Sequence, residues 1–437
     1  MAERILWALA GVGCAALIAP LPGLHIYNVA ALILLMIESD VLTLAPERMG
    51  FLFLGMVTGY AMLNTLASVF LATPDETTLF LMLPGQRYLR QRRGYEAVVL
   101  SGVGGLAGLA ALILLTTLGA PLLPSVREIV QPHLPWMLWT VIAYMLLSEW
   151  PKGTERAPAG WRRWWDGWRS LTAGLATFVL SGLLGLILMS RPLTPVRVAY
   201  QNLMPAFIGL FAVPWILQNL RARVQLPAQH LGTDVDLSPA VWIHGGASGV
   251  LGGLFAAFFP VVTGGIGSFL AGHITAQRDE RAFLISQGAA KVAYYVGGYL
   301  LFFVPGLSMT RGGIAWMAST RYSSITPVRF YEAALAVLLS GILAFFLLLG
   351  WARMMAHLVT RVPYPVINGV TLGLMVILVL GLIGPIGLAI MIVASAIGLI
   401  PVLWGSRRMN AMGILLLPIA LEMVGVADDV ARWLGLI

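Results

Sequence analysis

The chain has 437 residues, of which 59% are hydrophobic and only 11% charged, with a formal net charge of +8. A soluble globular protein carries about 25% charged residues, so a chain this poor in charge cannot cover a water-facing surface, and a soluble enzyme is excluded. The excess of Lys and Arg, which in a soluble protein would raise the question of nucleic acid, fits the cytoplasmic loops of a membrane protein, and no nucleic-acid partner is expected.

Runs long enough for a bilayer span of roughly 20 apolar residues recur almost from end to end. In chain order, hydrophobic segments are predicted near 5–21, 23–44, 50–73, 94–118, 134–150, 170–189 and 203–220, then near 241–259, 261–276, 282–304, 330–350, 366–383, 385–403 and 410–424. Only helices or closed barrels satisfy the backbone in lipid. Barrel strands alternate polar and apolar residues over about ten positions, and these runs do not. The expected fold is therefore an all-α, polytopic bundle of about 12–14 segments. The N-terminal run passes through Pro20-Leu21-Pro22-Gly23 into further apolar sequence, so it is read as a first span rather than a signal peptide. The single cysteine, Cys14, excludes an internal disulfide and is read as a packing residue. Trp161, Trp164, Trp165 and Trp168, interleaved with arginine, suggest an amphipathic interfacial anchor.

Basic loops set the expected orientation. The clusters are Arg87/Arg90/Arg92/Arg93, Lys152/Arg156/Arg162/Arg163/Arg169, Arg221/Arg223, Arg278/Arg281, Arg353/Arg361 and Arg407/Arg408. With fourteen spans and an extracytoplasmic N-terminus, all of them fall on the cytoplasmic side of the cell membrane.

The polar loop 221–240 divides the segments seven and seven. This suggests an N-terminal membrane repeat (1–220), a cytoplasmic linker (221–240) and a C-terminal repeat (241–437), inverted because each half has an odd number of spans. Proline and glycine breaks recur at matching places. Pro20 to His25 corresponds to Phe259-Pro260 through Gly267-Ser268, and Thr73-Pro74-Asp75-Glu76-Thr77 to Pro305-Gly306 with Arg311-Gly312-Gly313 beyond. Inverted repeats with broken, re-entrant helices mark the substrate site of secondary transporters. The amides and helix N-termini freed at such breaks favour anions.

At these residues the sequence resembles the large membrane subunit family of tripartite tricarboxylate transporters, especially its shorter archaeal-type branch. The resemblance is carried by Pro22-Gly23-Leu24-His25-Ile26-Tyr27-Asn28, the Thr73–Thr77 stretch, Leu83-Pro84-Gly85-Gln86-Arg87, Gly94-Tyr95-Glu96-Ala97 and Phe259–Ser268. Phe283-Leu284-Ile285-Ser286-Gln287-Gly288, Arg311-Gly312-Gly313, Arg407–Gly413 and Leu417-Pro418 complete it. It implies an inverted-repeat permease that takes up organic anions with an ion gradient and works with a small membrane subunit. A more distant likeness is to bacterial polyprenyl-phosphate translocases.

Charges at membrane depth are costly and usually have a purpose. Lys291 lies well inside an apolar run beside Tyr294 and Tyr295, where it could bind a substrate anion or pair with a buried carboxylate. Arg311 could grip a carboxylate or phosphate with two parallel hydrogen bonds. Asp75 and Glu76 could carry a coupling proton or cation, bridge to Arg311 or Lys291, or cap a helix after Pro74. The candidate substrate-binding set is Pro22, Gly23, His25, Asn28, Asn64, Thr65, Asp75, Glu76, Thr77, Thr263, Gly264, Gly265, Ser268, Lys291, Arg311 and Gly312. No catalytic group, metal site or nucleotide-binding loop is evident, and no cofactor is expected beyond coupling H+ or Na+. The leading reading is a permease for a small organic anion such as a carboxylate. The alternatives are a translocase of a phosphate-headed lipid and a membrane-embedded scaffold. Expected partners are an anionic small molecule or lipid, membrane lipids, and either a small membrane subunit or a second copy of the chain.

Overall fold

A computed structural model of the chain describes residues 1–150, 160–191, 193, 202–222, 225–232, 235, 238–259, 262–307, 309–322 and 325–437. Lys152, Arg156, Arg197, Arg223, Pro260 and Val261 lie outside the described residues. The helices are α1 (Ala2–Ile18), α2 (Ile26–Glu38), α3 (Pro46–Leu63), α4 (Thr65–Phe70), α5 (Leu79–Arg90), α6 (Gly94–Gly119), α7 (Leu123–Val130) and α8 (Leu134–Leu147). Next come α9 (Trp161–Ser190), α10 (Met204–Phe207), α11 (Val213–Ala222), α12 (Pro239–Phe258), α13 (Gly264–Ile274) and α14 (Glu280–Leu300). The last are α15 (Gly313–Ser319), α16 (Pro327–Arg361), α17 (Tyr364–Leu382), α18 (Pro385–Trp404), α19 (Gly413–Val424) and α20 (Ala427–Trp433). No strand occurs among the described residues. The protein is an all-α polytopic membrane protein.

Each apolar segment of the sequence falls on a helix, but the helices are not alike. Seven described helical stretches are long and apolar enough to cross a bilayer, or eight if Arg408–Val424 and Ala427–Trp433, bent by 113°, count as one span. Those seven include α3 and α4 as one stretch, Pro46–Phe70, buried from Met49 onward. The apolar segments outside those seven are short, broken or polar. At 1.5 Å per residue, α1, α2 and α13 measure only about 26, 20 and 17 Å against a hydrocarbon core of about 30 Å. Helix α14 is long enough to cross but carries Gln287, Lys291 and three tyrosines, and it is buried along almost its whole length. The tryptophan-rich segment, read as an interfacial anchor, forms the first two turns of α9, continuous with the span that follows. Trp161, Trp164 and Trp165 are exposed there.

The chain forms two compact units, Met1–Glu128 with Asn219–Leu374 and Ile129–Gln218 with Met375–Ile437. Each takes chain from both sides of the 221–240 loop. In the second unit α9 packs on α18 and α19. The buried Glu149 accepts the backbone N–H of Arg407 (2.5 Å) and the amide of Asn410 (3.2 Å). The Arg408 guanidinium lies 3.4 Å from the centre of the Trp215 ring.

In the first unit, glycine lets helix backbones touch. Along α12, Gly245, Gly249 and Gly253 recur every fourth residue and meet the carbonyls of Ala282, Ser286 and Ala290 on α14. On the other side of α14, Gly288 abuts the Ser101 carbonyl of α6, while Gly104 and Gly108 of α6 abut Ile285 and Ala289. Small residues at such crossings replace the hydrophobic drive that lipid cannot supply. Helix α14 is thereby gripped from two sides. At one end of this unit, charges tie three helix starts together. Arg4 of α1 makes a two-pronged bond to Glu332 of α16 (2.9 and 2.7 Å) and reaches Glu47 of α3 (3.2 Å). Arg329 joins both acids, at 3.0 Å to Glu332 and 2.7 Å to Glu47. Glu38, the last residue of α2, pairs with Arg321, six residues before α16 begins.

Gly288→Leu forces a side chain into the Ser101 carbonyl and is expected to destabilise the detergent-solubilised protein by at least the ~1–3 kcal/mol typical of overpacking. Gly369→Ala on α17, where nothing lies within 4 Å, is expected to leave thermal stability unchanged; melting followed by intrinsic fluorescence checks both.

Candidate functional site

The four proline and glycine breaks of the sequence meet in the first unit. The second break is built by Asp75. Pro74 has no N–H to continue a helix, and Ala72 sits in the left-handed region (φ 57°). One Asp75 oxygen, Oδ1, accepts the backbone N–H of Thr77 and of Thr78 (both 2.9 Å) and the hydroxyls of Thr77 (2.8 Å) and Thr78 (2.9 Å). The other, Oδ2, accepts the Asn64 amide (2.8 Å) and the hydroxyls of Tyr60 and Tyr295 (both 3.3 Å). Six donors thus converge on one carboxylate, with the Tyr295 hydroxyl as a seventh within reach.

Lys291 provides the opposite charge. It is 1% exposed. Its ammonium donates to Asn64 Oδ1 (2.8 Å), to the Met62 carbonyl (3.4 Å) and to the Thr65 hydroxyl. An ammonium has three protons, and each has an acceptor. Asn64 stands between the charges, its amide on Asp75 and its oxygen on Lys291. Between binding a substrate anion and pairing with a buried carboxylate, this geometry favours the second role for Lys291, with the pairing made through an asparagine.

The first break ends at His25. Gly23 turns the chain with φ 79°, Pro22 is buried in the same turn, and His25 caps α2, with its Nδ1 accepting the Tyr27 N–H at 3.2 Å. Its Nε2 lies 2.9 Å from the Tyr295 hydroxyl and 3.5 Å from Glu76 Oε1. The Tyr295 hydroxyl also reaches Glu76 Oε1 at 2.9 Å. Tyr27, Tyr60 and Tyr295 surround the imidazole, with ring centres 4.6, 4.9 and 5.9 Å away. Asn28, buried on α2, has a side-chain amide nitrogen with no hydrogen-bond partner among the described residues.

The third break leads into α13. Thr263 caps that helix through the Ile266 N–H (3.4 Å) and donates to the backbone carbonyl of Glu76 (3.3 Å). A Cβ on Gly265 would sit 3.1 Å from that carbonyl, and one on Gly264 would sit 3.0 Å from the Cβ of Tyr294. The chain passes too closely here for a side chain. Ser268 is turned away into the helix packing and accepts the Gln287 amide at 2.6 Å.

The fourth break supplies Arg311. Its Nη2 donates to the carbonyls of Ala256 (3.0 Å) and Val262 (3.1 Å), which flank the end of α12. Its guanidinium carbon lies 5.6 Å from the Tyr294 ring centre. The Arg311 Nε is buried and has no hydrogen-bond partner among the described residues. Gly312, at φ 81°, lets the chain pass the Tyr27 hydroxyl.

All sixteen candidate residues therefore lie in one unit, and most lie on or beside the four breaks. Tyr27, Tyr60 and Tyr295, which join the breaks, are absent from the sequence-derived set. A signal for two of them exists: Tyr60 precedes Asn64 by four residues, and Tyr295 follows Lys291 by four, so each shares a helix face with a polar residue already singled out. Single ligand atoms of His25, Asp75 and Glu76 lie within 4.8 Å of one another, but both Asp75 oxygens are already surrounded by donor hydrogens.

Residues 5–413 match the family described as "Tripartite tricarboxylate transporter TctA family". A protein of Methanocaldococcus jannaschii, described only as uncharacterised, is 23% identical over 428 residues, covering 95% of this chain and 98% of its own. No solved structure matches.

Removing one member of a buried charge pair costs about 3–5 kcal/mol. Asp75→Asn and Lys291→Met are each expected to lower thermal stability markedly. The double variant is expected to be more stable than either single one, because no charge is left unbalanced; a double-mutant cycle by thermal melting checks this.

Proposed function

The chain belongs to the tripartite tricarboxylate transporter TctA family, and from that premise we propose that it is the large membrane subunit of an ion-coupled secondary transporter that binds a small polycarboxylate where its four helix breaks meet. The observation that carries this reading is the Arg311 guanidinium, held in place by two backbone carbonyls while its buried Nε has no partner among the described residues. A carboxylate is the group that satisfies such a donor best. The Asn28 amide, also unpartnered, and the N-terminus of α13 behind Thr263 add neutral donors for further carboxylate oxygens. Lys291 balances Asp75 in this reading, and substrate charge falls to Arg311.

Re-entrant helices fit the same geometry. Helices α1 and α2 are each shorter than the hydrocarbon core. Both ends of the pair lie at charge clusters near the start of α16, Arg4 with Glu332 and Glu38 with Arg321. A pair that enters and leaves by one face carries its tip, His25, into the membrane interior. Irregular backbone at that depth is tolerated where it lines a site. A small membrane subunit and a substrate-delivering binding protein are the partners that a tripartite system of this kind requires. The family match lends no support to the lipid-translocase alternative.

The test is equilibrium binding of radiolabelled citrate to the purified protein in nanodiscs. Arg311→Gln is expected to weaken binding about 10- to 150-fold, the loss of one charge-assisted hydrogen bond worth ~1.5–3 kcal/mol. Arg311→Lys keeps the charge without the planar fork and is expected to recover only part of the loss. Arg432→Gln, at an exposed pair with Asp429, is expected to bind as the wild type does. Undiminished binding by Arg311→Gln would remove the reading.

A further inference from the structure

We propose that Glu76 is the proton-binding group that couples this transporter to a proton gradient, with the Tyr295 hydroxyl as its switching donor and His25 held neutral beside it. The proposal rests on the reading above that an anion binds beside Arg311, and it narrows the coupling ion to a proton at one named side chain.

Two adjacent carboxylates sit at the second break, and their surroundings differ. Asp75 accepts six hydrogen bonds from other donors, four of them on Oδ1, with the Tyr295 hydroxyl in reach as a seventh. A proton placed there would disrupt the turn that makes the break. Glu76 has a side chain 13% exposed, and its Oε1 accepts the Tyr295 hydroxyl at 2.9 Å. A proton placed on Glu76 breaks no backbone bond. Tyr295 already lies within reach of both acids, at 2.9 Å from Glu76 and 3.3 Å from Asp75 Oδ2. When Glu76 gains a proton, the Tyr295 O–H turns to Asp75, which stays charged.

His25 is the obvious competitor, and its hydrogen bonds argue against it. Its Nδ1 accepts the Tyr27 backbone N–H. Nδ1 therefore carries no hydrogen, and the neutral ring bears its proton on Nε2, facing Tyr295 and Glu76. A second proton would have to go to Nδ1 and would displace the cap of α2. The other ionisable or charged groups facing this place are Tyr27 on α2, Tyr60 on α3, Tyr294 and Lys291 on α14, and Arg311. Lys291 gives its protons to Met62, Asn64 and Thr65. The Arg311 Nη2 is spent on two carbonyls. Neither makes an ion pair with Glu76 among the described residues.

A sodium ion fits less well. Every oxygen of Asp75 is faced by donor hydrogens, which repel a cation. That leaves one carboxylate, an imidazole and oxygens already engaged in hydrogen bonds, a poor set for a hard cation that prefers a shell of free oxygens.

The position of Glu76 gives the coupling. Its backbone carbonyl accepts the cap residue of α13, and Gly265 passes against it. A charged Glu76 therefore opposes an anion at the α13 N-terminus and Arg311. A proton taken from water at one face bonds to the carboxylate and removes that repulsion, so proton and anion bind together. Release at the other face returns the proton to water and restores the charge, and no other bond is made or broken.

Infrared difference spectroscopy of the substrate-free protein in nanodiscs, recorded on stepwise acidification, tests the assignment. A buried carboxylic C=O band is expected to appear on acidification, to vanish in Glu76→Gln and to persist in Arg311→Gln. It is also expected to persist in His25→Asn, which retains a helix-capping residue but cannot titrate. Absence of the band in the wild type, its survival in Glu76→Gln, or its loss in His25→Asn would each overturn the proposal. Citrate binding is the second arm. Glu76→Gln, which mimics the protonated side chain, is expected to bind citrate at pH 8 at least about tenfold more tightly than the wild type, and equal affinity would overturn the coupling. If the band behaves as expected and no variant binds citrate, the proton site stands and the anion reading fails.

Discussion

A helix that breaks inside a membrane exposes backbone groups that lipid cannot satisfy, and in this protein several of the broken ends are closed by a group from their own or another break. His25 caps α2. Asp75 closes its own turn through the N–H groups of Thr77 and Thr78. Thr263 caps α13 and takes the Glu76 carbonyl. Arg311 takes the carbonyls of Ala256 and Val262, one on each side of the end of α12. Because the partners come from distant parts of the chain, satisfying the backbone also gathers the breaks at one place. The site is thus a consequence of the same requirement that permits the breaks.

The charges at this place are unequally committed, and the functional reading follows from that inequality. Asp75 and Lys291 are joined through Asn64 and cancel one another, so they hold structure. Glu76 and Arg311 are held less completely. Arg311 retains a buried donor without a partner among the described residues, and the Glu76 carboxylate accepts a tyrosine hydroxyl beside His25. In the proposed reading the first is the cation that receives an anion. The other is an acid whose charge would oppose it. Helix α14, gripped on both sides through glycine contacts, carries Lys291, Tyr294 and Tyr295 and so serves as the rigid wall against which the other breaks close.

Much of this was legible in the sequence, because proline and glycine inside apolar runs mark either a bend in a helix or a close approach of two backbones. The helical class, the location of the segments and the four breaks follow from composition and periodicity. The family likeness was carried by the same residues. The partnerships were not legible. A lysine in an apolar run shows that a counter-charge exists but not which acid supplies it, and the intervening Asn64 lies 227 residues away in sequence. Tyr27 reads as an ordinary aromatic residue of an apolar helix, and Tyr60 and Tyr295 are marked only by sharing a helix face with Asn64 and Lys291. Nor does hydropathy separate a short helix such as α13 from a full span, because length is decided by caps such as Thr263, whose hydrogen bonds are not apparent from sequence alone.

The most direct measurement is an experimental structure of the protein in nanodiscs with citrate. The account requires density for one carboxylate against Arg311, within hydrogen-bond reach of its Nε, with the remainder of the molecule toward Asn28 and the start of α13. Citrate density bonded to Lys291, or lying away from the four breaks with the Arg311 Nε still unoccupied, would contradict it.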